Sequence, residues 1–188
     1  MSQHNLSPRK VAFLPPAAVV YLRRRAVEVV GLVLFALATA LALALATYNP
    51  NDAALNVAST GPSANWLGTP GAWTADLLLQ TLGLASIAVV ALLASWAWRI
   101  ASHRGLPWYG LRLLQLAPCL LLLAAIAGTV SAPKQWPQAS GLGGYSGDWL
   151  LKTSAPALQK IGLTSSSPLV ISIASIVAAI LLLYLLGI

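Results

Sequence analysis

Gly71-Ala72-Trp73-Thr74-Ala75-Asp76-Leu77-Leu78-Leu79 is written a second time further on, as Gly143-Gly144-Tyr145-Ser146-Gly147-Asp148-Trp149-Leu150-Leu151. Each copy runs glycine, small residue, aromatic, hydroxyl residue, small residue, aspartate, apolar residue and two leucines, and a threonine follows at Thr81 and Thr153. Each also comes after a long apolar run and a polar loop. The pattern reads as one unit of membrane hairpin used twice.

Outward from that stretch, four apolar runs stand out, at 27–48, 74–98, 109–130 and 168–188. A helix needs about 20 residues to cross roughly 30 Å of hydrocarbon, and each run has that length. With 58% hydrophobic and only 8% charged residues, the chain has far more apolar surface than a water-soluble domain of 188 residues uses. The fold class expected is all-α integral membrane with four transmembrane helices.

The net charge of +7 is distributed as a topology signal. Arg9, Lys10, Arg23, Arg24 and Arg25 precede the first run, and Arg99, Arg104 and Arg112 flank the connection between the second and third. Residues 49–73 hold no Lys or Arg, whereas Lys134, Lys152 and Lys160 lie in 131–167. The positive-inside rule then places both termini in the cytoplasm and the loops 49–73 and 131–167 outside. Residues 1–26 form a basic cytoplasmic N-terminus, loosely ordered through Pro16, and 27–188 the membrane domain. The seven tryptophans avoid the span centres: Trp66, Trp73, Trp136 and Trp149 fall on the outer side and Trp96, Trp98 and Trp108 on the inner side, as in an interfacial belt.

Local signals refine this outline. Pro16 suits a first helical turn, so the first helix is expected to reach back to Ala17. Arg24 and Glu28 then stand one turn apart and form an expected exposed pair. Small residues every fourth position, at Ala38, Ala42 and Ala46, at Ala124 and Gly128, and at Ser175 and Ala179, allow close helix approach. The first run is too long for a cleaved signal peptide and is kept as an anchor. In the first outer loop, Tyr48-Asn49-Pro50-Asn51-Asp52 stops a helix and turns the chain. In the second, Leu150, Leu151, Leu158 and Ile161 set against Lys152, Gln159 and Lys160 read as a short amphipathic helix, broken near Pro156. Asp76 and Asp148 are expected to start and cap their helices, where the N-terminal dipole favours a carboxylate.

No catalytic set emerges. Tyr145-Ser146-Gly147-Asp148 lacks the first glycine of the Gly-x-Gly-Asp motif of intramembrane aspartyl proteases, and Thr74-Ala75-Asp76 supplies no partner motif. The glycines at 141–147 have no following Lys-Ser or Lys-Thr, so they form no phosphate loop. Cys119 is the single cysteine, His4 and His103 have no carboxylate at ligand spacing, and glycines beside a bundle serve tight turns and close approach.

Tyr48-Asn49-Pro50-Asn51-Asp52, then Asn65-Trp66-Leu67-Gly68-Thr69-Pro70-Gly71-Ala72-Trp73-Thr74-Ala75-Asp76 with Gly83 beyond, closely resembles the N-terminal membrane region of the FtsK/SpoIIIE DNA translocases. Ala139-Ser140-Gly141 with Gly143, Gly144 and Gly147 is similar to that family's second glycine-rich element. The sequence departs from the family at Ala53, where a proline is usual, and at Asp148, which is not a fixed family position.

The resemblance implies a multi-pass protein of the bacterial inner membrane at the division septum. The four-helix region would anchor and assemble the protein, and a linker would lead to a hexameric DNA-pumping motor; both linker and motor are expected to be absent from this chain. ATP and Mg would belong to that motor, with no catalysis or cofactor here. Partners implied are the bilayer, further copies of the chain in a hexamer, other septal proteins, and DNA only through the motor. Tyr48, Pro50, Asp52, Gly68, Gly71, Ala72, Ala75, Asp76, Gly143, Gly144, Gly147 and Asp148 are the candidate structural and partner-binding positions. The competing reading is a standalone four-helix carrier or intramembrane enzyme, for which the reading frame would close near Ile188.

Overall fold

The structure, a computed structural model, describes residues 15–54 and 61–187. The basic terminus, with His4, Arg9 and Lys10, for which loose order is expected, lies outside the described residues as far as residue 14. Within them the chain is all helical: α1 (Pro16–Ala46), α2 (Gly68–Leu82), a 3₁₀ turn (Gly83–Ala85), α3 (Ser86–Ala101), α4 (Tyr109–Gly128), α5 (Gly144–Lys160) and α6 (Pro168–Leu186). Four stretches are long and apolar enough to cross a membrane: Ala17–Ala46, Gly68–Ala101, Tyr109–Gly128 and Pro168–Leu186.

Proline opens α1 and α6, where its missing N–H is not needed. Gly187, at φ +82°, closes α6 in the left-handed conformation that glycine adopts freely. α1 and α3 run antiparallel in close contact. A Cβ on Gly31 would lie 2.7 Å from the backbone N of Ala101, so only glycine lets the helices approach there. α4 packs on α6, and Leu92, Cys119 and Leu185 form a small buried core among Trp96, Leu123 and Leu181. Leu32, Val33 and Phe35 of α1 and Ile173, Ile176 and Ile180 of α6 remain exposed. A bilayer solvates such surfaces, so the core between helices stays narrow.

The stretch Gly68–Ala101, with 34 residues, would be about 51 Å long as one helix, well beyond the hydrocarbon thickness. It is interrupted at Gly83, whose φ of +58° and ψ of −133° no residue with a side chain adopts easily. α2 is therefore a separate rod beside the last turns of α1, and α3 carries the chain on. The helix begins at Gly68, ahead of the Thr74 boundary expected from hydropathy, because Asn65 closes a turn onto the Gly68 N–H (2.8 Å).

Three local expectations are corrected. Asp76 lies well inside α2, and Asp148 belongs to the fifth position of α5, so neither caps a helix. Glu28 pairs with Arg25 (2.5 Å) in place of Arg24, because the i,i+3 geometry turns Arg25 toward it. α5 runs unbroken through Pro156.

The end of the bundle where α6 finishes is closed by side chains. Trp96 Nε1 and Arg112 Nη1 both donate to the Leu185 carbonyl (2.8 Å each), Ser95 Oγ to that of Leu186 (2.7 Å), and Arg99 Nη1 to that of Gly187 (2.7 Å). These carbonyls end α6 and have no partner within it. Arg112, only 5% exposed, also donates to the Pro107 carbonyl and stacks on Tyr184.

Candidate functional site

The candidate positions gather at the opposite end of the bundle, where α1 finishes and α2 begins, in two linked clusters. In the first, Asn49-Pro50-Asn51 turns the chain as it leaves α1, with the Asp52 N–H donating to the Asn49 carbonyl (3.1 Å). That turn aims the Asp52 carboxylate back at the returning strand of the loop. It accepts from Ser63 Oγ (2.9 Å) and from the backbone N–H groups of Ala64 (2.8 Å) and Asn65 (2.9 Å). Those donors, the Ala64 N–H first, hold its pKa below the usual carboxylate range against the opposing effect of burial.

Asn65 is the peg between loop and helix. Its Nδ2 donates to the Ala44 carbonyl at the end of α1 (2.8 Å), and its Oδ1 accepts from the Leu67 N–H (3.1 Å). Gly71 follows from that placement, since a Cβ there would fall 2.4 Å from Asn65 Oδ1. Gly68, at φ +67°, makes the bend into α2. Ala72 and Ala75 are buried beside Gly71 on one face of α2.

The second cluster centres on Asp76, 5% exposed. Oδ1 accepts from the Tyr48 hydroxyl (2.9 Å) and from Gln138 Nε2 (3.1 Å), and Oδ2 accepts from Gln80 Nε2 (2.8 Å). Gln138 also donates to the Tyr48 hydroxyl (2.5 Å). The chain just past α1, α2 and the loop between α4 and α5 thus meet on one carboxylate. Burial, then the bond to Asp76, raises the Tyr48 pKa, so the phenol stays a protonated donor. Beside this junction an apolar groove of about 440 Å³ opens between Ala42, Leu45, Leu79, Ile87, Val90 and Trp136.

The second copy of the repeat packs by the same small residues. Gly143, Gly144 and Gly147 are buried, as are Gly71, Ala72 and Ala75 at the matching positions. A Cβ on Gly143 or Gly147 would lie 2.3 or 2.4 Å from the Ala124 carbonyl of α4. One on Gly144, at φ +63°, would meet Thr81 and Gly83, and one on Gly83 would lie 2.0 Å from the Leu142 carbonyl. The Leu84 N–H donates to that carbonyl (2.9 Å), so the loop between α4 and α5 is seated in the break between α2 and α3. The copies diverge at the aspartates: Asp148 is exposed and pairs only with Lys152 (2.6 Å) among the described contacts.

Asn65, Gln80, Gln138 and Gly83 complete the site and stand outside the twelve candidates. Gln80 was findable, four residues after Asp76 on the same helical face. Gln138 carries no local signal, because its partners are distant in sequence. Chemically the site is a carboxylate satisfied by neutral donors, an arrangement that fixes geometry.

A family profile described as the 4TM region of DNA translocase FtsK/SpoIIIE matches residues 23–188. Among curated relatives, the DNA translocase FtsK of Bradyrhizobium diazoefficiens is 39% identical over 145 residues, covering 77% of this chain and 18% of that protein. That of Brucella suis biovar 1 is 39% identical over 139 residues, covering 69% and 15%. That of Azospirillum brasilense is 27% identical over 183 residues, covering 95% and 28%. The chain therefore spans less than a third of the length of each of these relatives. No solved structure matches it.

Proposed function

Because the chain belongs to the FtsK/SpoIIIE family, as its four-span membrane region, we propose that it anchors and assembles a cell-division DNA translocase at the septum of the bacterial inner membrane. It tethers a cytoplasmic hexameric motor and performs no catalysis itself. The observation that carries this reading is the outer junction, where Tyr48, Asp76 and Gln138 bind both outer loops into one fixed surface. Exposed Trp66, Trp73, Tyr145 and Trp149 frame that surface, and aromatic residues of this kind recur in protein contacts.

Both termini lie in the cytoplasm, a reading supported by Arg23, Arg24, Arg25 and Arg104 at one end and the lack of Lys or Arg in residues 49–73 at the other. α5 rests in the outer interface as an amphipathic helix. Leu150, Leu151 and Leu158 face the hollow between α4 and α6, while Lys152 and Lys160 are exposed. The twelve candidate positions, Asp148 with the least weight, shape the face that other septal proteins recognise. Further copies pack through the lipid-facing helices. DNA, with ATP and Mg, is handled by the motor.

The test is a fluorescent fusion of this chain in dividing cells that retain their own translocase. A band at the septum is expected. Uniform membrane fluorescence would overturn the targeting role.

A further inference from the structure

At its inner end α1 outruns the bundle. Gly31 is level with Ala101, the last residue of α3, so residues 16–30 continue about 22 Å past that level. Trp98, Trp108 and Tyr109 are exposed at the same end, where interfacial aromatics mark the headgroup layer. Arg23, Arg24 and Arg25 lie about 9 to 12 Å beyond Gly31 along the helix. Their long side chains reach back into a headgroup layer some 5 to 8 Å thick.

The charges at this end do not balance. Glu28 is the one carboxylate there, since Asp52, Asp76 and Asp148 are all at the outer end. Both its oxygens are engaged, Oε2 by Arg25 (2.5 Å) and Oε1 by His103 Nε2 (3.1 Å). His103 lies in the connection between α3 and α4 at φ +56°, and its bond to Glu28 holds that connection, and Arg104 with it, against α1. Arg99 and Arg112 are committed to backbone carbonyls. Arg23, Arg24 and Arg104 face no carboxylate among the described residues, and Arg24 lines an open hollow with Ala17, Val20 and Tyr21.

We propose that this rim, Arg23 and Arg24 of α1 with Arg104 of the α3–α4 connection, is a binding surface for the phosphate headgroups of anionic phospholipids. Two chain segments fixed to each other through Glu28 and His103 carry these cations at the same end of the bundle, and the carboxylate that would compete for them is already paired. Each guanidinium donates to phosphate oxygens with fork geometry. The surface serves the membrane attachment of the domain and does not depend on what the outer face binds.

The experiment uses the purified protein in detergent, with phosphatidylglycerol or phosphatidylcholine added and the retained lipid counted by native mass spectrometry. Wild type is expected to prefer phosphatidylglycerol, and each arginine removed in R23Q/R24Q/R104Q to lower that preference about 5-fold. K134Q/K160Q, which removes exposed charge from the outer end, should keep it, and R23K/R24K/R104K should restore most of it. A triple glutamine variant that retains the wild-type preference overturns the proposal. So does equal loss in K134Q/K160Q. If duplex DNA displaces the lipid and its own binding falls with the same three arginines, the rim is a nucleic-acid surface and the lipid assignment is wrong.

Discussion

Tyr48 donates its hydroxyl to Oδ1 of Asp76 at 2.9 Å, joining the residue just past α1 to the middle of α2. A hydrogen bond to a charged group contributes about 1.5 to 3 kcal/mol. Tyr48→Phe is expected to destabilise the domain by that amount in detergent unfolding. Asp76→Ala should cost more, because it removes the shared acceptor of Tyr48, Gln80 and Gln138 at once. Asp148→Asn, at the matching place in the second copy, loses one exposed ion pair and should stay within about 0.5 kcal/mol of wild type. Equal effects at Asp76 and Asp148 would show that the outer junction is not a structural tie.

Gly83 and Gly162 both have positive φ, but Gly83 is also enclosed and has the more restricted backbone, at ψ −133°. Gly162→Ala should cost roughly 1 to 2 kcal/mol from its left-handed backbone alone. Gly83→Ala adds a Cβ 2.0 Å from the Leu142 carbonyl, so it must unseat the second outer loop. We expect it to lower the melting temperature well beyond Gly162→Ala, or to abolish folding. Similar melting temperatures for the two variants would contradict the seating of the loop in the helix break.

Asp52 gives the loop between α1 and α2 an acid-sensitive component. Its pKa is depressed in the fold, so its stabilisation is present above the ordinary carboxylate value of about 3.9 and is lost as pH falls through the lower folded value. Melting temperatures measured from pH 6 downward should fall below about pH 4 in wild type. Asp52→Asn should flatten that part of the profile while lowering stability near neutrality.

Arg112 ties the end of α6 to the start of α4. Arg112→Leu removes two bonds to carbonyls, those of Leu185 and Pro107, and should cost about 2 to 3 kcal/mol. Amide exchange in the last turn of α6 should accelerate. Arg112→Lys should recover only part of the loss, because an ammonium has no fork with which to span both carbonyls.

Hydropathy made the four crossing stretches legible, since every apolar run had the length a bilayer demands. The repeated stretch also carried real information: its small residues are buried at matching positions in both copies. What escaped the sequence was the division of the second run into α2 and α3. Hydropathy registers apolar character without direction, and the break depends on Gly83 meeting a loop some 60 residues away. Asp76 suggested a cap because its helix was expected to begin at the start of the apolar run, near Thr74, whereas Asn65 starts the helix earlier, at Gly68. The contacts of Arg99 and Arg112 with the end of α6 were not legible, since nothing local links them to Leu185 or Gly187. Gln138 is the same case at the outer end: it acquires its role only when the second loop folds against Tyr48 and Asp76.

The most direct measurement of the central claim is septal fluorescence of the native protein carrying Gly71→Leu and Asp76→Ala, compared with Asp148→Asn, with ATP hydrolysis assayed on the same purified variants. Tyr48→Phe serves as a milder change that should keep the fold. The account predicts that the Gly71 and Asp76 substitutions each reduce the septal fraction severalfold and Tyr48→Phe reduces it partly, while ATP hydrolysis stays at the wild-type rate and Asp148→Asn localises normally. Unchanged septal localisation in the Gly71 and Asp76 variants would contradict it.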